Sequence, residues 1–154
     1  MPTSLKSAFE QPSFPKTEKR LLGTWKSDKR RTFAEWSWAK KLTPKKKEWF
    51  KSIFGKLEIN YGRTKVISRL RHRRWEQSRR YVVLGSDENS VAIVNFGRLE
   101  IKNRRKYSPL GLEIVDELHS KPEIKHIHFD KKHFWVLIGN GKNRQFFRKL
   151  RNKE

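Results

Sequence analysis

The segment that decides the fold is residues 124–150, IKHIHFDKKHFWVLIGNGKNRQFFRKL. Two runs rich in β-branched and aromatic residues, 124–129 and 134–138, surround the polar turn Asp130-Lys131-Lys132, and such runs are typical of β-strands. The dipeptide Asn140-Gly141 is typical of a tight hairpin turn, and a third run follows at residues 145–150. This segment therefore predicts three antiparallel strands joined by short turns.

The same pattern of short strands and turns extends upstream along the chain. Alternating apolar and polar side chains, bounded by turn residues, predict further strands. These predicted strands cover residues 21–25, 32–38, 57–61, 65–70, 79–84, 90–96 and 99–107. Residues 108–120 fit either a short helix or a long loop that a few apolar side chains hold in place.

One helix is predicted after the second strand. Thr43 is a suitable N-cap, Pro44 suits the first helical position, and Gly55 is placed to end the helix. Apolar side chains between these residues fall on one helical face, which predicts a short amphipathic helix over residues 44–54. Residues 1–20 show no periodicity and predict an extended N-terminal arm.

Many short strands in sequence favour closure into a barrel, because closure removes exposed strand edges. We therefore predict a mainly β protein, a single antiparallel up-and-down barrel of about eight strands over residues 21–151, with one short helix.

The composition describes a very basic chain with a small core. Of 154 residues, 38 are Lys or Arg and 16 are Asp or Glu, which gives a net charge of +22. Aromatic residues make up 12% of the chain and supply large apolar surfaces. Cysteine is absent, which excludes disulfides, a thiol nucleophile and Cys-ligated metals. No apolar run has the length of a signal peptide or membrane span, so we expect a cytoplasmic location.

Gly23-Thr24-Trp25, at the entry to the first predicted strand, is similar to the G-x-W signature of lipocalin-like (calycin-type) barrels. Together with Trp36, Trp38, His126, His128 and the closing run 144–148, residues 20–151 resemble an uncharacterised bacterial lipocalin-like family. The second lipocalin motif, Thr-Asp-Tyr, is absent. The resemblance implies that Trp25, beside Gly23, plugs one barrel end, and that Arg148 or Arg144 of the last strand packs across it.

A barrel of this kind is expected to bind a small, partly apolar or anionic ligand in its interior. The candidate ligand-binding residues are Trp36, Trp38, Tyr61, His128 and Trp135. The alternative for these rings is that they fill the interior as core. His126 and His128 point to the same face of a strand, but no third ligand accompanies them, so we predict neither a metal nor a cofactor.

Catalysis has little support in the sequence. No G-x-S-x-G nucleophile context, P-loop or G-x-G-x-x-G follows any predicted strand. We therefore expect a protein that is not an enzyme.

The basic clusters suggest an alternative function, which is sequence-independent binding of nucleic acid or another polyanion by the exterior. Cations near the helix and around Trp75 would contact phosphates, and Trp75 would stack on bases. The candidate polyanion-binding residues are Lys45, Lys46, Lys47, Arg71, Arg73, Arg74, Trp75 and Arg79. The sequence does not determine the oligomeric state.

Overall fold

A computed structural model describes residues 17–36, 43–102, 108–118, 121–138 and 143–151. The strands are β1 (Gly23–Ser27), β2 (Leu57–Tyr61), β3 (Lys65–Leu70), β4 (Trp75–Ser86), β5 (Ser90–Ile101), β6 (Glu123–Asp130), β7 (His133–Ile138) and β8 (Asn143–Lys149). Each strand pairs antiparallel with the next, and β1 pairs with β8, so the sheet is a closed barrel. The predicted eight-stranded up-and-down barrel is confirmed.

Three α-helices accompany the barrel within the described ranges. They are α1 (Lys29–Ala34), α2 (Pro44–Ile53) and α3 (Pro109–Leu118). The helix α2 matches the predicted helix. Two alternatives, a helix and a loop, were open for residues 108–120, and α3 shows that the helix is correct. None of the described helices is long and apolar enough to cross a membrane.

The predicted strand over residues 32–38 is wrong in its described part. Residues 29–34 form α1 instead, because the Asp28 side chain caps the helix by accepting a hydrogen bond from the Arg31 N–H at 3.0 Å. Thr32 is fully buried, and its Oγ1 accepts from the Phe146 N–H at 3.0 Å. This tertiary contact holds α1 against β8 and outweighs the β propensity of the segment. The helix α2 consequently lies between β1 and β2.

The barrel core consists of the inward-facing side chains of successive strands. Trp25 meets Phe134 edge to face with ring centroids 4.7 Å apart, and Phe134 stacks on Phe147 at 4.8 Å. Tyr61 contacts Tyr81 at 5.4 Å in the same cluster. Burial raises the pKa of Tyr81 to about 12, and its hydroxyl donates to the Gly62 carbonyl. Both tyrosines are therefore neutral core residues at physiological pH.

Trp25 lies at the barrel end where β1 begins, with only 3% of its surface exposed. Its Nε1–H donates to the Leu21 carbonyl at 2.9 Å. The cation over its ring is Lys149, whose Nζ lies 5.5 Å from the centroid. The expected arginine over the Trp25 ring is therefore replaced by Lys149. Trp25 pairs with Lys149 across the β1–β8 ladder, whereas Arg148 pairs with Lys26, and this pair lies on the opposite face of the sheet. Gly23 has a φ of +122°, and a Cβ there would lie 3.0 Å from Lys149 Cε.

Arg144 is placed away from Trp25. It forms a bidentate ion pair with Glu35 at 2.5 and 2.7 Å, and its guanidinium lies over the ring of Trp135 at 4.9 Å. Arg144 therefore joins the end of α1 to the outer face of β8.

We predict that Trp25→Ala lowers the free energy of unfolding by about 3–5 kcal/mol, because it removes a large buried ring. Trp25→Phe keeps most of the apolar volume and loses the bond to Leu21, so its loss is smaller. Urea denaturation followed by circular dichroism measures both. A loss below about 1 kcal/mol for Trp25→Ala would show that this barrel end does not depend on the ring.

We predict that Asp28 stabilises the fold in a pH-dependent manner. Burial acts to raise the Asp28 pKa, but hydrogen bonds from the Arg31 N–H and His133 and the charges of His133 and Arg148 outweigh it and lower the pKa below 3.8. A lowered folded-state pKa stabilises the protein above the unfolded pKa, and this contribution disappears as the pH falls through the folded pKa.

Asp28→Asn keeps a helix-capping oxygen but cannot ionise. Its free energy of unfolding should lie below that of the wild type at pH 7, and the difference should shrink as the pH falls below about 3.8. Denaturation at a series of pH values measures this, with Glu88→Gln, at an exposed turn residue, as the matched control. A pH-independent difference would mean that the Asp28 charge is not responsible.

Candidate ligand-binding site

The ladder between β6 and β7 is incomplete. These strands pair only from Asp130 with His133 to His128 with Trp135. Beyond that point β6 remains paired with β5 as far as Glu123, and β7 remains paired with β8 as far as Ile138. The two strands therefore follow different neighbours and separate, which leaves an opening in the barrel wall.

The opening leads into a cavity of about 600 Å³. Phe134 and Val136, which face the barrel interior, line it. Leu137 and His126, whose side chains lie on the outer face of the sheet, line it as well. Side chains from both faces can border one cavity where the sheet is interrupted or ends. Ile124 and Leu137 flank the opening with 64% and 53% of their surfaces exposed, so its rim is apolar.

The cavity walls are mainly apolar. The inward-facing apolar side chains that form them are Leu57, Ile59, Tyr61, Leu70, Trp75, Phe134, Val136 and Phe147. Trp75 is half-buried here, and its Nε1–H donates to Gln77 Oε1 at 3.2 Å. Such walls suit the apolar body of a small ligand.

A narrow polar pocket of about 60 Å³ adjoins the cavity. Both spaces are lined by Tyr61, Ser68, Gln77 and Glu123, so they lie side by side. The narrow pocket is further lined by Arg79 and Asn95. Its volume suits one compact polar group rather than a whole ligand.

Arg79 is a charged residue inside the barrel. It faces Val66 across the β3–β4 ladder and has 5% of its surface exposed. Its Nε–H donates to the Gly97 carbonyl at 3.0 Å and its Nη2 to the Lys121 carbonyl at 2.7 Å. The remaining nitrogen, Nη1, is buried without a hydrogen-bond partner among the described residues.

Burial lowers the pKa of Arg79, and the Glu123 carboxylate opposes that shift. A guanidinium nevertheless remains protonated in proteins. Asn95, which is 6% exposed, also has a buried Oδ1 without a described partner. Since buried polar atoms are almost always hydrogen-bonded, the Arg79 Nη1 donor indicates a place for a further hydrogen-bond acceptor, and the Asn95 Oδ1 acceptor indicates a place for a donor.

The predicted ligand-binding residues are distributed over several places. Tyr61 lines the cavity, and burial raises its pKa. His128 borders the opening from the outer face and stacks on Trp135 at 4.0 Å. Burial, followed by the charge of His126, lowers the pKa of His128. Trp135 itself lies on the outer face beneath Arg144, so its assignment to the cavity wall is wrong.

Trp36 also lies outside the cavity. It packs in an aromatic cluster with Phe33 at 5.7 Å and Phe54 at 5.1 Å, between α1 and the end of α2. The expected ligand contact of Trp36 is therefore corrected to a packing role. Trp38 lies outside the described residues.

The described members of the predicted polyanion-binding set lie at different depths in the structure. Arg79 lies inside the barrel and Trp75 lines the cavity, so both assignments to the exterior are wrong. Arg71 is exposed and forms an ion pair with Glu58 at 3.1 Å. Lys45 and Arg74 are exposed and Lys47 is half-buried, while the side chains of Lys46 and Arg73 lie outside the described set.

The prediction missed the polar residues of the inner pocket, although the sequence carries a signal for them. Asn95 lies on the same face of a predicted strand as Val91 and Ile93. Arg79 likewise shares a face with Tyr81 and Val83. A polar side chain in register with core residues indicates a buried polar site.

Within the described ranges, no three His, Asp or Glu side chains lie close enough together to hold a metal ion.

No protein-family model, curated protein or solved structure matches this chain. The closed eight-stranded barrel is compatible with a lipocalin-like fold.

Proposed function

We propose that the protein is a non-enzymatic, lipocalin-like binding protein whose barrel holds a small ligand with an apolar body and one compact anionic group. The observation that carries this proposal is the buried Arg79 guanidinium, with Nη1 unpartnered, in a polar pocket at the inner end of an apolar cavity. A ligand of this class satisfies both parts of the site.

The apolar part of the proposal follows from the size and lining of the cavity. A volume of about 600 Å³ lies within the range of about 300–1,000 Å³ that small-molecule sites occupy. Burial of apolar ligand surface contributes about 25 cal/mol per Å² removed from water. The exposed apolar rim at Ile124 and Leu137 gives such a body a path through the opening.

The anionic part follows from the charge of Arg79. Its two hydrogen bonds go to neutral backbone carbonyls, and no carboxylate among the described residues forms an ion pair with it, since Glu123 acts on its charge without contact. A buried charge without a contacting counter-charge is unfavourable, and a carboxylate supplied by a ligand would reduce that penalty. Hydrogen bonds between a guanidinium and a carboxylate are also stronger than neutral ones.

We predict that decanoate binds and that 1-decanol, which has the same chain without the charge, binds at least about tenfold more weakly, a difference of about 1.4 kcal/mol. Both ligands should change the fluorescence of Trp75, and decanoate should raise the melting temperature because it binds the native state. Fluorescence titration and thermal denaturation measure these effects.

Asn95→Asp tests the role of the inner pocket. Its carboxylate supplies Arg79 with an internal counter-charge and repels the ligand anion, so the affinity for decanoate should fall about tenfold while that for 1-decanol stays unchanged. Asn89→Asp, at an exposed turn residue, makes the same charge change and is the control. Equal loss of both ligands in Asn95→Asp, or no binding by the wild type, would contradict the proposal.

A further inference from the structure

A second concave surface lies at the barrel end where β1 begins and β8 ends. It is a groove of about 1,110 Å³, and none of its described lining residues lines the ligand cavity. Six of those lining residues are Lys or Arg and none is Asp or Glu. The basic residues of this terminal groove are Arg20, Lys131, Lys132, Arg148, Lys149 and Arg151.

Three separate parts of the chain supply these cations. Arg20 precedes β1, Lys131 and Lys132 form the β6–β7 turn, and the others belong to β8 or the residues after it. The closure of β1 onto β8 brings the first and last of these parts together. The groove is therefore a product of the fold rather than of one run of basic sequence.

Part of the positive charge of the terminal groove is not compensated by an ion pair with a described carboxylate. Elsewhere Arg69 pairs with Glu76 at 2.5 Å, and Glu58 pairs with Arg71 at 3.1 Å. In the groove Arg20 pairs with Glu18, whereas Lys131, Lys132 and Arg151 make no ion pair with any described carboxylate. An anionic partner would find the uncompensated charge here.

The floor of the groove is apolar. The half-buried side chains of Phe129 and Leu150 form most of it, because Trp25 is only 3% exposed and lies beneath Lys149. The Arg20 guanidinium lies 4.6 Å from the centroid of the Phe129 ring. The backbone carbonyls of Asp87 and Glu88 accept hydrogen bonds from Arg20 at 2.8 and 2.7 Å and hold it in place. A fixed guanidinium plane is a surface on which an unpaired base can stack.

We propose that the terminal groove binds single-stranded nucleic acid, with phosphates on its basic residues and bases over its apolar floor. An extended single strand exposes both charged phosphates and apolar base faces, and the groove offers a matching surface for each. A duplex conceals its base faces and is too rigid to follow a recess. A bilayer presents a flat plane of headgroups that would not reach the groove floor.

The binding is independent of the barrel ligand and of base sequence. The groove lies at the opposite barrel end from the opening between β6 and β7, so an occupied cavity leaves it free. Lysine and arginine contacts to phosphates carry no base information. The logarithm of the affinity should therefore fall linearly with the logarithm of the salt concentration. The slope should be about −0.7 for each phosphate that is neutralised.

The test uses the full chain and fluorescein-labelled dT12 in fluorescence anisotropy titrations at several salt concentrations. The groove variant is Lys131→Gln with Lys132→Gln and Arg151→Gln. The matched control is Lys45→Gln with Lys56→Gln and Arg98→Gln, which removes the same number of exposed lysine and arginine charges outside the groove. We expect the groove variant to lose about tenfold or more in affinity at physiological salt and to show a shallower salt slope, while the control changes about twofold or less.

Three results would overturn the proposal. Equal losses in the two variants would assign binding to diffuse positive charge. Binding of a dT12·dA12 duplex as tight as that of dT12 would remove the single-strand assignment. Binding to vesicles containing phosphatidylserine without binding to dT12 would assign the groove to a membrane surface. If the groove variant still binds decanoate, the variant is folded. The same measurement separates the test of the terminal groove from the test of the barrel site.

Discussion

The pairing of β1 with β8 is the contact on which the rest of the structure depends. Only three residue pairs form it, Trp25 with Lys149, Lys26 with Arg148 and Ser27 with Phe147. Backbone bonds extend it at both ends, from the Asp28 N–H to the Phe146 carbonyl and from the Leu150 N–H to the Thr24 carbonyl, each 2.8 Å. Without this short ladder the sheet would have two open edges, and the interior would be exposed to water.

The ladder between β6 and β7 also has three residue pairs, but both strands continue beyond the last pair and separate. Each strand keeps its other neighbour, so the sheet remains continuous while a gap forms. Lys125 and Glu123 face the space behind this gap, which places charge beside the unpaired edge of β6. Charged side chains at an exposed strand edge oppose pairing with another chain. These charges therefore oppose pairing of another chain with the open edge, although Ile124 and Leu137 leave the rim apolar.

Charge in this protein has different consequences at different depths. On the outer surface several arginines are compensated by carboxylates, as Arg144 is by Glu35. Inside the barrel one guanidinium, that of Arg79, is held by two backbone carbonyls and keeps an unpartnered nitrogen. At the end of the barrel the basic residues of the terminal groove converge, and none of its described lining residues is Asp or Glu. The net charge of +22 therefore says less about function than its distribution does.

The barrel itself was predictable from local patterns, because strand alternation and turn residues such as Gly62-Arg63 act over a few neighbouring positions. The helix α2 was predictable for the same reason, since Thr43 and Pro44 mark its start. The segment at residues 32–34 was not, because its helix depends on the bond between Thr32 and Phe146, 114 residues apart. Tertiary structure alone decided the cavity and the terminal groove. Which rings line the cavity, which arginine is buried and which lysines converge depend on strand register and on where pairing stops, and both are set by contacts between residues distant in sequence.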